Sequence, residues 1–342
     1  MKKICLIFTG GTIGSSARQG VIDVSDVVPQ MLLDAYAARA DKLSVMFDIK
    51  RPFTILSERI SAQHLLRLRA EIKACADGRC DGIIITHGTD TLGYTANFLG
   101  LCLGGVKVPV LLVSSCYPLE HPKSNGLDIF AAAVRAVYAV PCGVYAVCKN
   151  EGELVKIHLA QKLMQARCDG YFESNGGAPC EGGAPPVGGA VFTLADGASR
   201  EDSGFIPTGA PLTVCKGISF ADNVCLKTDI LCIRAHAMQD FRLYNIEKDK
   251  PRAVVVELYH SGTADTAAAH GLAAFCDSCA ASGVTVVLAP IGEGLYAGMK
   301  EVLAKGNVLA ADCGIEAAFM RTVIAFGTFS GARAAKFIKT GT

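Results

Sequence analysis

Three short apolar runs in the first third of the chain each end in a cluster of hydroxyls. LIF runs into Thr9-Gly10-Gly11-Thr12-Ile13-Gly14-Ser15-Ser16, III into Thr86-His87-Gly88-Thr89-Asp90-Thr91, and LLV into Ser114-Ser115-Cys116-Tyr117-Pro118. Any one cluster is ordinary turn and cap chemistry. Three in succession point to a ligand, because open parallel sheets bind ligands beyond the carboxyl ends of their strands. The chemistry that fits is nucleophilic. A threonine hydroxyl is nearly unreactive until a base relieves it of its proton, often a desolvated lysine or a relay through a second hydroxyl. Thr12 and Thr89 supply the hydroxyls, Asp90 stands next to the second, and amides around Gly11 and Gly88 are placed to steady an oxyanion where glycine lets a substrate approach the main chain.

Rival chemistries fit less well. The first turn lacks the G-x-G-x-x-G spacing of a dinucleotide site, and no lysine follows it as in a phosphate loop. Cys276 and Cys279 form one CxxC with His270 upstream, and a lone pair is weak evidence for zinc. Buried helical cysteines are the simpler reading, and His87 reads as a turn histidine with its hydrogen bonds satisfied. No metal site and no cofactor are expected.

These residues need a scaffold. Through the first two hundred residues, strand-like runs (KICLIF, LSVMFDIKRPF, GIIIT, VPVLLVSS, GVYAVCKN) alternate with helical ones. One helix begins near Ser25 or Asp26, another is capped by Ser61, a third runs from about Thr91 to Leu103, and a fourth covers GLDIFAAAVRAVYA. Bare apolar strands between helices imply a mostly parallel sheet covered on both faces. From Asn175 the chain turns rich in Gly, Pro and Ala, marking turns and linker. Alternation resumes near residue 223, with a helix over DTAAAHGLAAFCDSCAAS. The expected fold is α/β: a larger N-terminal domain at 1–195, a linker at 196–222, and a smaller parallel α/β domain at 223–342.

With 342 residues the chain suits two domains, and its formal net charge of +1 offers no electrostatic footprint for nucleic acid or a membrane surface. A small, roughly neutral partner is the default. No apolar stretch is long enough to span a bilayer, and ICLIF is too short for the core of a secretory signal. The 15 cysteines, many inside apolar runs (Cys5, Cys102, Cys232), read as small buried hydrophobes in a reducing compartment. The protein is expected to be cytoplasmic.

TGGTIG at 9–14 followed by HGTDT at 87–91 resembles the two signature motifs of the bacterial-type L-asparaginases, and the likeness continues through LLVSSCYPL and SNGLDIFAAAV. The length and the early start resemble the cytoplasmic, type I-like branch. The resemblance implies hydrolysis of the side-chain amide of L-asparagine to L-aspartate and ammonia, by a homodimer or homotetramer, without cofactor or metal. It makes Thr12 the nucleophile and Thr89 and Asp90 the second threonine and its acid. The family lysine falls on Lys162, with Lys156 as a second candidate. Ser57 matches the serine that binds the substrate α-carboxylate, and Glu58 follows it. Asp90 would also pair with the α-ammonium, and a buried, neutral Lys162 would take a proton through the Thr89 hydroxyl. Two features depart from the family. The lid stretch SSARQGVIDVS, with Gly14 and Gly20 as hinges, has Val21 near the place of the usual tyrosine. In the second domain, Thr263 stands where many relatives carry an asparagine that reaches a neighbouring subunit.

Three alternatives remain open at this point: glutamine hydrolysis or an ammonia-producing amidotransferase subunit, an asparagine or aspartate sensor with little turnover, and a nucleotide-dependent oxidoreductase. The first keeps the same chemistry, although no added domain or basic face marks a transfer-RNA binder. The missing lid tyrosine motivates the second.

Overall fold

Lys2–Phe8 forms β1, and its apolar run is buried on both faces, as the middle of a covered parallel sheet requires. The computed structural model describes all residues except 19–20, 25–26, 79, 167–169, 175–189, 195–204, 208–216, 220, 268 and 292–293. The Ser25–Asp26 helix start, the Gly20 hinge and most of the Gly/Pro-rich stretch lie outside the described residues. Two units emerge, Met1–Ala221 and Asp222–Thr342.

In the first unit β1 is followed by a hairpin, β2 (Ser15–Arg18) and β3 (Val21–Val24), and then by α1 (Val28–Ala38). Next come β4 (Val45–Lys50), α2 (Ala62–Ala76), β5 (Gly82–Thr86), α3 (Leu92–Cys102), β6 (Pro109–Val113), α4 (Gly126–Ala139) and β7 (Gly143–Cys148). The strands β8 (Lys156–Leu159), β9 (Ala190–Leu194) and β10 (Phe205–Pro207) complete an eight-stranded sheet in the order β10-β9-β8-β7-β6-β5-β1-β4. From β4 to β7 all pairings are parallel, whereas β8, β9 and β10 each join antiparallel.

Helices cover both faces. Leu32 and Tyr36 of α1 and Phe130 and Val134 of α4 pack on Ile4, Leu6, Ile84 and Leu111. Tyr36 and Phe130 meet edge to face at 5.4 Å, an arrangement aromatic quadrupoles favour. The opposite face carries α2, whose Cys75 touches Cys5 of β1 at 2.6 Å, and α3, with Leu68, Ile72 and Phe98 fully buried. Ser61 caps α2 by accepting the His64 amide.

The strand order has one consequence for function. From β1 the chain crosses first to β4 on one side and then to β5 on the other, so the direction of winding reverses between β1 and β5. A crevice opens beyond the strand ends at such a reversal. The Thr12 and Thr89 turns leave those two strands.

The second unit is a four-stranded parallel sheet in chain order: β11 (Ile230–Arg234), β12 (Ala253–Glu257), β13 (Thr285–Ala289) and β14 (Val308–Ala310). Its helices are α5 (Ile246–Asp249), α6 (Leu272–Ala281), α7 (Ala297–Leu303), α8 (Ile315–Thr328) and α9 (Gly331–Thr340). Val254, Val256, Val286 and Leu288 form a core with Phe275, Cys276 and Cys279 of α6 and Met299 of α7.

Several expectations need correction. β10 falls in the stretch 196–222 read as linker, so the first unit's sheet runs past residue 195. The helix read over DTAAAHGLAAF begins only at Leu272. Asp265 lies ahead of that start, its carbonyl accepting the Leu272 amide and its side chain the Ala267 amide. Cys232 is exposed, because β11 is the sheet's edge. Cys276 and Cys279 are fully buried, as read. Among the described residues no helix is long and apolar enough to cross a membrane.

Candidate active site

The loop after β1 is shaped by two glycines. Gly11 has φ +72° and ψ −174°, a region essentially reserved for glycine. Its Cα faces the second loop. A Cβ there would lie 2.6 Å from the His87 carbonyl carbon and closer still to the Gly88 amide nitrogen and Cα. Gly88 in turn has no room for a Cβ, which would lie 2.5 Å from the Ser57 Cβ. The turns that carry Thr12 and Thr89 therefore touch through bare backbone, with Ser57 wedged beneath.

Each turn is braced from behind. Thr9 Oγ1 donates to the Thr86 carbonyl at 2.6 Å, and the Ser15 hydroxyl donates to Gly11 O at 2.7 Å. The Ile55 amide donates to Thr9 O, and the Gly11 amide donates to Ile55 O, both at 3.0 Å. The second contact corrects an expectation. The one proton on the Gly11 nitrogen is engaged with Ile55, so Gly11 serves as a spacer between the loops and not as an oxyanion donor.

Around the second turn, His87 is 1% exposed with both ring nitrogens engaged, Nδ1 to Gly88 O at 2.8 Å and Nε2 to Thr95 Oγ1 at 2.9 Å. A carbonyl only accepts, so Nδ1 carries the proton and Nε2 accepts from the threonine. Burial pushes its pKa down to about 4, leaving the ring neutral at pH 7. This is the satisfied turn histidine read from the sequence. Thr89–Thr91 forms a single 3-10 turn. Thr89 Oγ1 donates to Ser115 O and Thr91 Oγ1 to Ser57 O, both at 2.9 Å.

A cleft of about 930 Å³ opens where the turns meet, and Thr12, Thr89 and Asp90 all line it. Its remaining wall comes from the β6–α4 loop (Cys116, Tyr117, Lys123, Asn125), the end of β7 (Lys149, Asn150) and the segment around Gln165 and Tyr171. Asn125 ties these pieces together. Its Oδ1 accepts the Cys116 amide at 3.0 Å, and its Nδ2 donates to Lys149 O at 2.8 Å. Asp128, also on the wall, pairs with Lys149 at 2.7 Å and with Arg39 at 3.0 Å. Burial works against its charge, but the hydrogen bonds from Lys149 and Arg39 win and hold its pKa below the usual range.

Ser57 is buried under Gly88, Glu58 is exposed, and neither lines the cleft; nor does Gly88. Lys162 is half-buried on the single turn Ala160–Lys162, off the cleft wall. Lys156 pairs with Glu153 at 2.8 Å. The lysines on the wall are Lys123 and Lys149. Thr263, in the second unit, closes a local turn in which its carbonyl accepts the Tyr259 amide at 2.9 Å. Val21 lies in β3 of the hairpin after Thr12.

Sequence reasoning missed Gln165, Asn125 and Lys149. Asn125 carried a signal, a capping residue type directly before a helix. Gln165 and Lys149 sit in loops with no pattern of their own.

Residues 3–179 match the family model "Asparaginase, N-terminal". The chain is 35% identical to an L-asparaginase of Bacillus licheniformis over 139 residues, covering 40% of this chain and 41% of that protein. It is 29% identical to a glutamyl-tRNA(Gln) amidotransferase component of Methanococcus maripaludis over 210 residues, 59% of this chain and 49% of that one. The matched region thus spans less than half the length of either relative. Among solved structures, the thermostable L-asparaginase of Thermococcus kodakarensis superposes with a TM-score of 0.74 at 19% identity, covering 99% of this chain and 96% of that one. L-asparaginase I of Vibrio cholerae gives 0.74 at 19% identity, covering 98% and 95%. At such identities the likeness is one of fold.

Proposed function

We propose, for a chain that belongs to the asparaginase family, that it hydrolyses the side-chain amide of L-asparagine to L-aspartate and ammonia. The observation that carries this reading is the single cleft lined by Thr12, Thr89 and Asp90 at the point where the sheet reverses its winding. In the proposed reaction the Thr12 oxygen attacks the amide carbon, ammonia leaves with the proton that Thr12 gives up, and an ester remains. Water then cleaves the ester, activated on the Thr89–Asp90 side, and restores the Thr12 hydroxyl. Asp90 pairs with the substrate α-ammonium. Lys162 is assigned the proton beyond Thr89, because its segment is tied along α3, the helix that follows the Thr89 turn: the Asn97 side chain donates to Leu163 O at 2.7 Å.

The test is ammonia release from L-asparagine at neutral pH, with L-glutamine and D-asparagine alongside. The reading expects turnover of L-asparagine that is lost in Thr12→Ala and in Thr89→Val. Full activity in either variant contradicts it. The amidotransferase components among the relatives favour a second reading, an ammonia-producing subunit that works with a partner. Free turnover of L-asparagine by the isolated chain argues against that reading; silence until a partner is added argues for it. A cytoplasmic homodimer or homotetramer belongs to the first reading, and light scattering reads the assembly.

A further inference from the structure

Three residues of α3, Gly93, Asn97 and Gly100, share one stripe of the helix, being four and three apart. The segment 161–165 lies along that stripe. A Cβ on Gly100 would come 2.9 Å from the Gln161 nitrogen, and one on Gly93 would come 2.9 Å from the Cα and nitrogen of Gln165. Between them the Asn97 side chain donates to Leu163 O. Small residues let the segment lie flat on the helix, and it ends at the Thr89 turn.

There the Gln165 side chain uses both ends of its amide. Nε2 donates to Thr89 O at 2.7 Å, and Oε1 accepts the Gly93 amide at 3.0 Å. Gly93 lies in the first turn of α3, where helix amides have no partner inside the helix. Gln165 also faces the cleft beside Thr12, Thr89 and Asp90. Two other ties to this turn, Thr89 to Ser115 O and Thr91 to Ser57 O, come from different elements.

We propose that Gln165 is a positioning residue for the asparagine hydrolysis assigned above. By bridging Thr89 O and Gly93 N, it holds the Thr89 hydroxyl and the Asp90 carboxylate at the angle the reaction needs. The inference rests on that functional reading, but the clamp is a mechanical claim with its own readout. Leucine at 165 fills similar space and makes neither bond. Glutamate makes both only when protonated, since its O–H then donates to Thr89 O while its carbonyl accepts from Gly93. Ionised, it sets a negative charge against the Thr89 carbonyl.

The experiment compares the full-length wild type, Gln165→Leu and Gln165→Glu by amide hydrogen exchange over residues 88–96 and by ammonia release across pH. Gln165→Leu is expected to speed exchange in that segment and leave the second unit unchanged. Its kcat should fall by about 10- to 100-fold, with KM within about threefold, because a misplaced reacting group costs the transition state more than the ground state. Gln165→Glu should regain kcat as the pH is lowered, relative to the wild-type profile. That profile is the reference because Asp90, Asp128, Glu151, Lys123 and Lys149 share the wall and bear on both proteins. Unchanged exchange in Gln165→Leu, or a Gln165→Glu profile parallel to wild type, overturns the proposal. Should the wild type release no ammonia, the functional reading falls, and the exchange comparison alone decides whether the clamp exists.

Discussion

Replacing Gly11 by alanine tests the claim that the two threonine turns meet through bare backbone. The substitution has two separable costs. The residue sits at φ +72° and ψ −174°, where a side chain costs about 1–3 kcal/mol. Its new Cβ would lie 2.6 Å from the His87 carbonyl carbon, against about 3.5–4.0 Å for carbon atoms in ordinary contact. The loops must therefore part by about 1 Å. A shift of that size at a reacting pair costs about 100-fold in rate, or about 2.7 kcal/mol of barrier. Gly78 supplies the control, having φ +77° with nothing within 4 Å of its Cβ position. Gly78→Ala should lose about 1–2 kcal/mol of stability from backbone strain and keep its activity. Ammonia release and urea unfolding, measured on both variants, separate strain from displacement. Equal activity in Gly11→Ala and Gly78→Ala would refute the reasoning.

Two further outcomes concern stability. His87 and His158 are both buried, and burial pushes each pKa down to about 4 from 6.5, with Lys156 adding to the effect at His158. A depressed folded-state pKa contributes stability that is present above pH 6.5 and is lost as pH falls through 4. The loss by pH 4 is about 3 kcal/mol per imidazole. Urea midpoints should drop across this window, less steeply in His87→Gln, which does not titrate; equal slopes in the two proteins would count against the assignment. Phe130, fully buried among Tyr36 and Phe47, should cost about 3–5 kcal/mol on truncation to alanine. A loss below about 1 kcal/mol in urea unfolding would mean that this face of the sheet is not the packed core described.

The strands that carry Thr12 and Thr89 were legible because a strand buried on both faces needs an unbroken apolar run, and GIIIT and KICLIF supply one. The Ser61 cap was legible for a similarly local reason. What escaped were the features that depend on a distant partner. β10 is a short edge strand whose residues look like loop until β9 is beside them. The β2–β3 hairpin is likewise hidden in a polar stretch. The site divides along the same line. Thr12, Thr89 and Asp90 stand at strand ends, where chain direction alone says what they face. The Gly11 amide was assigned to a substrate because nothing in the sequence placed Ile55 within reach of it. Gln165 acts through Thr89 and Gly93, 76 and 72 residues away, and no local pattern records such a pairing.

The most direct test is a crystal structure of the chain with the reaction product, L-aspartate. The side-chain carboxylate of aspartate stands where the amide stood. The account predicts that carboxylate at about 3 Å from both Thr12 Oγ1 and Thr89 Oγ1, with the α-ammonium on Asp90. Aspartate bound against only one of the two threonines, or outside their cleft, would contradict it.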